Sequence, residues 1–119
     1  MGYDIHITRR KHWSAEGEPQ INFDEWKTIV NSDPQLEPVG GTGQEESTIM
    51  MCDESRRAAR YFYYSDGQVF VKKPCTAVLM KMLAIAQKLN AQVMGDDEEV
   101  YAPDGTPSHK AQFEVTDRW

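Results

Sequence analysis

The stretch Ile21-Asn22-Phe23-Asp24-Glu25-Trp26-Lys27-Thr28-Ile29-Val30-Asn31-Ser32-Asp33-Pro34 carries the clearest local signal in the chain. Asn22 is a good N-cap, and Glu25 three residues later completes the pattern of a capping box. Ile21 before the cap and Trp26 at the fourth helical position fit a hydrophobic staple. Asp24 and Glu25 lie in the first turn, where the helix dipole favours negative charge. Phe23, Trp26, Ile29 and Val30 keep the i, i+3, i+4 spacing of one apolar face. Asp33 stands before proline and is pushed out of the α region, so the spacing predicts a helix over 23–32.

On the N-terminal side, Tyr3, Ile5 and Ile7 alternate with Asp4, His6 and Thr8, as in a half-buried strand. Arg9-Arg10-Lys11-His12-Trp13 and a polar loop from Ser14 to Gln20 lead into the helix. On the C-terminal side, Pro34, Pro38, Gly40, Gly41 and Gly43 punctuate residues 34–47, which read as a long flexible connection. Gly40-Gly41-Thr42-Gly43 lacks the Gly-Lys-Ser/Thr ending of a phosphate loop and reads as a linker. Thr48 to Cys52 is a strand candidate and Asp53 to Arg57 a charged turn. Two β-prone runs, Ala59 to Tyr64 and Gln68 to Lys72, flank Asp66-Gly67 and predict a hairpin.

Pro74 suits the first position of a second helix. There Val78, Leu79, Met82, Leu83, Ile85, Ala86 and Leu89 form a broad apolar face, with Lys81 and Lys88 on the solvent side. Asn90 can close this helix in the left-handed conformation. Gln92 to Met94 is a short strand. The tail 106–119 carries Phe113 and Val115 in alternation and Trp119 beyond them, and reads as an edge strand or a tail. Strand, helix, strands, helix, strands indicates an α+β fold. One mostly antiparallel sheet with two helices on one face, over a single domain 1–119, is expected.

Composition narrows the function. Among 119 residues, 13 Lys+Arg against 19 Asp+Glu leave a net charge of −6, which argues against a nucleic-acid binder needing a basic face. No apolar run approaches the roughly 20 residues that span a bilayer. The opening Met1-Gly2-Tyr3-Asp4 lacks the pattern of a signal peptide or a myristoylation site, so a cytoplasmic location is expected. Two cysteines, Cys52 and Cys75, without a Cys-x-x-Cys pair read as reduced, buried thiols.

Chemistry-bearing residues are sparse. Asp4-x-His6 places a carboxylate and an imidazole on one strand face, the beginning of a metal site or an acid–base pair. It needs a third group, from His12 or His109, and its plainer reading is a hydrogen-bonded, structural histidine. Cys75 at a helix start could be activated by the dipole, or be inert. No Gly-x-Ser-x-Gly elbow occurs. Arg9-Arg10-Lys11, and Arg56, Arg57 and Arg60, read as surface charges paired with local acids, although either cluster could bind phosphate. Tyr61-Phe62-Tyr63-Tyr64 cannot all face the core, so two of these rings lie on the less buried face. Asp96-Asp97-Glu98-Glu99 lacks the calcium-loop pattern and reads as a solvated loop or as a docking patch for a basic partner. Asp96, Asp97, Glu98, Glu99, Tyr61 and Tyr63 are therefore the candidate partner-binding residues. No catalytic set, cofactor or metal is expected.

Four segments also carry a resemblance. They are Gly2-Tyr3-Asp4-Ile5-His6-Ile7-Thr8-Arg9, the helix Ile21 to Trp26 running to Ser32-Asp33-Pro34, Asp66-Gly67-Gln68-Val69-Phe70-Val71-Lys72, and Leu89-Asn90-Ala91-Gln92-Val93-Met94-Gly95-Asp96-Asp97. In order and spacing, over residues 2–105, the chain resembles a family of small, largely uncharacterised bacterial proteins that look like the immunity proteins accompanying secreted toxins. Where the family pattern opens the second helix with Asn-Pro-Asp-Glu, this chain has Lys73-Pro74-Cys75-Thr76. The net charge, the Asp96–Glu99 run, the aromatic residues and the lack of a catalytic set point to a non-catalytic binding protein that docks an acidic and aromatic surface over a basic partner, and the resemblance implies that the partner is a toxin. The alternatives are a metal-binding protein or enzyme using Asp4 and His6, and a structural subunit that self-associates through a strand edge.

Overall fold

The structure, a computed structural model, describes residues 3–15, 17, 19–42, 45–51 and 59–117; over 39–42, 45–51 and 59–60 the description is of the backbone. Cys52, the charged turn 53–57 with Arg56 and Arg57, the side chain of Arg60, and Trp119 lie outside what is described. The elements are β1 (Asp4–Thr8), α1 (Phe23–Ser32), β2 (Leu36–Thr42), β3 (Glu45–Met51), β4 (Ala59–Ser65), β5 (Gln68–Lys72), α2 (Thr76–Leu89) and β6 (Gln92–Gly95). The strands form one six-stranded sheet in the order β2-β3-β4-β5-β1-β6, antiparallel at every pairing. The fold is α+β.

Helix α1 begins and ends where its signals place it. The Asn22 backbone N–H donates to Glu25 Oε1 at 3.1 Å, and Asp33 before the proline is extended. Asp66 and Gly67 both adopt positive φ, the geometry that a two-residue hairpin needs to match strand twist. Asn90, left-handed at φ 54, closes α2.

Four expectations are corrected. Residues 36–42 are not a connection but edge strand β2, paired with β3. Pro38 is tolerated there because an edge strand can spare a donor, and the register shifts between Pro38 and Gly40. Pro74 does not occupy the first turn of α2; the N-cap is Cys75, 2% exposed. Lys81 is partly buried and donates to Asp33 Oδ2 at 2.7 Å, joining α2 to the end of α1. Burial raises the Asp33 carboxyl, but Lys81 and the Gln35 N–H outweigh it and hold the group below the ordinary aspartate value. The tail adds no strand up to residue 117. Its backbone bonds go elsewhere: Gln112 N–H to Asp97 Oδ2 at 2.7 Å, and the Thr116 carbonyl to Thr76 N–H at 2.8 Å. Phe113 and Val115 instead pack against the core.

Strand alternation divides the sheet into two faces. Tyr3, Ile5, Ile7, Phe62, Tyr64, Val69, Val71 and Val93 join Trp26, Ile29 and Val30 of α1 and the apolar face of α2 in one core. Trp26 stacks on Phe62 at 6.1 Å, and Phe23 lies 5.3 Å from Tyr64. Both helices therefore cover the same face, as expected. The side chains of Asp4, His6, Phe70 and Tyr63 belong to the other. No helix among the described residues is long and apolar enough to cross a membrane.

Candidate functional site

Register builds the second face. His6 opposes Phe70 on β5 and Met94 on β6, and Phe70 opposes Tyr63 on β4. Paired positions share a face, so these side chains form one row across four strands. Ring centroids follow it: Tyr61–Tyr63 at 6.2 Å, Tyr63–Phe70 at 5.2 Å and Phe70–His6 at 6.0 Å. The loop after β1 then folds back, and Trp13 stacks flat on His6 at 4.4 Å with 5° between the rings. Tyr61, at 45% exposure, is the most open ring of the row. The Lys72 ammonium lies 5.8 Å from the centre of the Tyr63 ring.

At the His6 end stand the carboxylates. Asp4 is two residues from His6 and on the same face, as the spacing predicts. The third group is neither His12 nor His109 but Asp96. Asp96 Oδ2 accepts from the Asp4 N–H at 2.8 Å, while Oδ1 lies 3.0 Å from His6 Nε2. His12 is engaged with Glu98 at 2.6 Å and Ser14 Oγ at 2.6 Å, and His109 lies 2.9 Å from the Asp97 carbonyl. An open hollow of about 310 Å³ adjoins the row, lined by Asp4, His6, Trp13, Ser14, Ser65, Asp66, Gln68 and Phe70. Burial raises the Asp4 carboxyl, and Asp96 adds to the rise.

The acidic run does not form a uniform patch. The turn from Gly95 closes with Gly95 N–H to the Glu99 carbonyl at 2.9 Å and Glu98 N–H to the Gly95 carbonyl at 3.0 Å, with Glu98 at positive φ. The side chains consequently fan out. Asp96 serves His6, Asp97 accepts from the tail, and Glu98 points outward beside His12. Glu99 is fully buried and accepts from the Tyr3 and Tyr101 hydroxyls. Of the six partner-binding candidates, Tyr61, Tyr63, Asp96 and Glu98 thus flank the second face at its two ends, Asp97 is tied to the tail, and Glu99 is inside.

Two contributors escaped the sequence reading. Trp13 stands beside the basic cluster Arg9-Arg10-Lys11 in the sequence; its role depends on the loop turning back over β1. Arg10 read as a surface charge, yet it is 1% exposed. It donates to the carbonyls of Ala15, Gly17 and Asp66 and so anchors that loop. Its neighbour Arg9 does pair with a local acid, in a two-pronged contact with Glu25.

Burial holds the His6 pKa below 6.5, with Asp96, Asp4 and Glu99 pulling in the other direction. The unfolded chain therefore takes up this proton at higher pH than the native one, and stability falls as pH drops through 6.5 toward the folded value. Asp4 acts with the opposite sign, near and above 3.8, because its native pKa is raised. Urea unfolding is expected to show an unfolding free energy that declines from about pH 7.5 to about 5.5, at no more than about 1.4 kcal/mol per pH unit, the limit for one proton. His6→Phe is expected to flatten this slope; an unchanged slope would assign it to other groups.

Comparison with protein-family models, with curated proteins and with solved structures returns no match.

Proposed function

We propose that this chain is a non-catalytic binding protein whose second sheet face docks a basic protein partner, the relation of an immunity protein to its toxin. The aromatic row is the observation that carries the reading. Helices cover one face of the sheet, and the other presents Tyr61, Tyr63 and Phe70 in line, with Asp96 and Glu98 at the far end. Tyrosines supply large contact area at little entropic cost and dominate interface hot spots. Carboxylates on the rim steer a cationic surface toward them, and the net charge of −6 favours the same encounter. Self-association through a strand edge is the weaker alternative, because Pro38 and the register shift blunt the β2 edge and Val100 bridges to Met94 at the β6 edge.

The test is co-expression with the basic product of the adjacent gene, followed by titration of the purified pair. A complex is expected whose affinity drops roughly 10–100-fold with Tyr61→Ala, a hot-spot loss. Glu98→Lys is expected to slow association at low salt, since rim charges act on encounter. Failure to form a complex, or full affinity in both variants, would remove this face as the docking surface.

A further inference from the structure

We propose that Asp4, His6 and Asp96 bind a divalent first-row transition metal ion, zinc, at the edge of the hollow beside Trp13. The inference stands on the isolated chain and does not depend on a protein partner. Each of the three residues offers one ligand atom, and these atoms lie within 4.8 Å of one another. The separation of His6 Nε2 and Asp96 Oδ1, 3.0 Å, suits two ligands on one ion whose own bonds are about 2.0–2.2 Å.

The groups are held in place before any ion arrives. Asp4 and His6 share one face of an interior strand, paired on both sides over Ile5, His6 and Ile7. Asp96 is fixed by the Asp4 backbone N–H on one oxygen, which leaves the other aimed at the imidazole. Such outer hydrogen bonds orient metal ligands. The His6 side chain is 5% exposed and lies flat against Trp13. Among the described residues its Nδ1 has no partner, and neither do Trp13 Nε1 and Gln68 Oε1. All three belong to side chains that line the hollow. Buried polar atoms are normally paired, so three around one hollow mark it as a place for a polar guest. An ion held by Asp4, His6 Nε2 and Asp96 would carry water in its open positions beside Trp13 and Gln68, while His6 Nδ1 lies on another edge of the ring.

Electrostatics favours the same occupant. Two carboxylates meet here, with Lys72 opposite Asp4 in the register. The donor set is one imidazole nitrogen and two carboxylates. An imidazole suits zinc and its neighbours, whereas magnesium and calcium prefer oxygen throughout. A protein with three ligands and open positions has the form of an accessible site, not a closed structural one.

The experiment is calorimetric titration of the chelator-treated, full-length chain with zinc chloride, with magnesium chloride as the control. One zinc ion per chain is expected, with a rise in thermal midpoint of roughly 5 °C or more at a hundredfold excess over Kd, and no response to magnesium. His6→Gln and Asp96→Asn are expected to weaken zinc binding at least roughly tenfold, the scale seen when a ligand set is disturbed. Asp4→Asn is the second line, since it leaves the backbone contact to Asp96 in place should Asp96→Asn unfold. Binding in the wild type that survives in all folded variants, or that is lost instead in Glu98→Gln through the His12 pair, overturns the assignment. So does the absence of stoichiometric zinc binding.

Discussion

Arg10→Leu is expected to destabilise the chain by about 3–5 kcal/mol, the cost of removing one side of a buried polar cluster. The guanidinium donates to three backbone carbonyls at once: Asp66 at 2.6 Å, Ala15 at 2.9 Å and Gly17 at 3.0 Å. The Asp66 carboxylate lies 3.5 Å from the same guanidinium. A leucine fills part of the volume but leaves those carbonyls without a donor. Two segments then lose their tie, the loop from Lys11 to Gly17 and the turn of the β4–β5 hairpin. Arg10→Lys keeps the charge but not the planar fork, and is expected to recover less than half of the loss. Urea unfolding measures both. Hydrogen exchange of the loop amides adds a local reading, because Trp13 rides on this loop and covers His6. A loss below about 1 kcal/mol, within the range of ordinary surface substitutions, would show that Arg10 is dispensable.

Why Arg10 was hidden in the sequence, while α1 was not, comes down to the range of the interactions. The cap, the first-turn acids and the residue before proline all act within a few positions of one another. Residues 21–34 therefore carry their own boundaries. The Asp66-Gly67 turn and the Asn90 closure are local in the same way, each set by one residue's tolerance for positive φ. Strand β2 differs. Its composition is that of a connection, and only pairing with β3 supplies the backbone bonds that make it a strand.

The site divides along the same line. The shared face of Asp4 and His6 follows from a period of two. Asp96 joins them across 90 positions, and no spacing rule reaches that far. Burial of a charged side chain is also non-local. Arg10 is buried because a hairpin 56 positions away offers a carbonyl. The acidic run misled for a related reason: a tight turn lets four consecutive carboxylates point four ways, so adjacency in sequence does not make a patch.

Glu99→Ala is expected to lower stability by a comparable amount, about 3–5 kcal/mol, through unpaired donors and a cavity together. Both carboxylate oxygens lie 2.7 Å from the Tyr3 hydroxyl, and Oε2 also accepts from Tyr101 at 2.7 Å. The Asp97 N–H adds a contact at 3.2 Å to Oε1. Burial, followed by the bond to Glu99, pushes both tyrosine hydroxyls above their ordinary pKa, so they stay protonated as donors. Removing the carboxylate strands two buried hydroxyls and opens space among Tyr3, Tyr101 and Gly95. A fall in thermal midpoint of roughly 10–20 °C follows for a chain of this size. Gly95 supplies the internal check. A Cβ there would overlap the Glu99 carboxylate, so Gly95→Ala alone is expected to cost about 1–3 kcal/mol from overpacking. In the Glu99→Ala background the obstruction is gone, and the same glycine change is expected to cost little. Additive losses in that cycle would mean that the two residues do not meet, and that the turn after β6 is held by its backbone alone. Non-additive losses would show that the Glu99 carboxylate fills the space beside Gly95 and helps to hold the turn after β6.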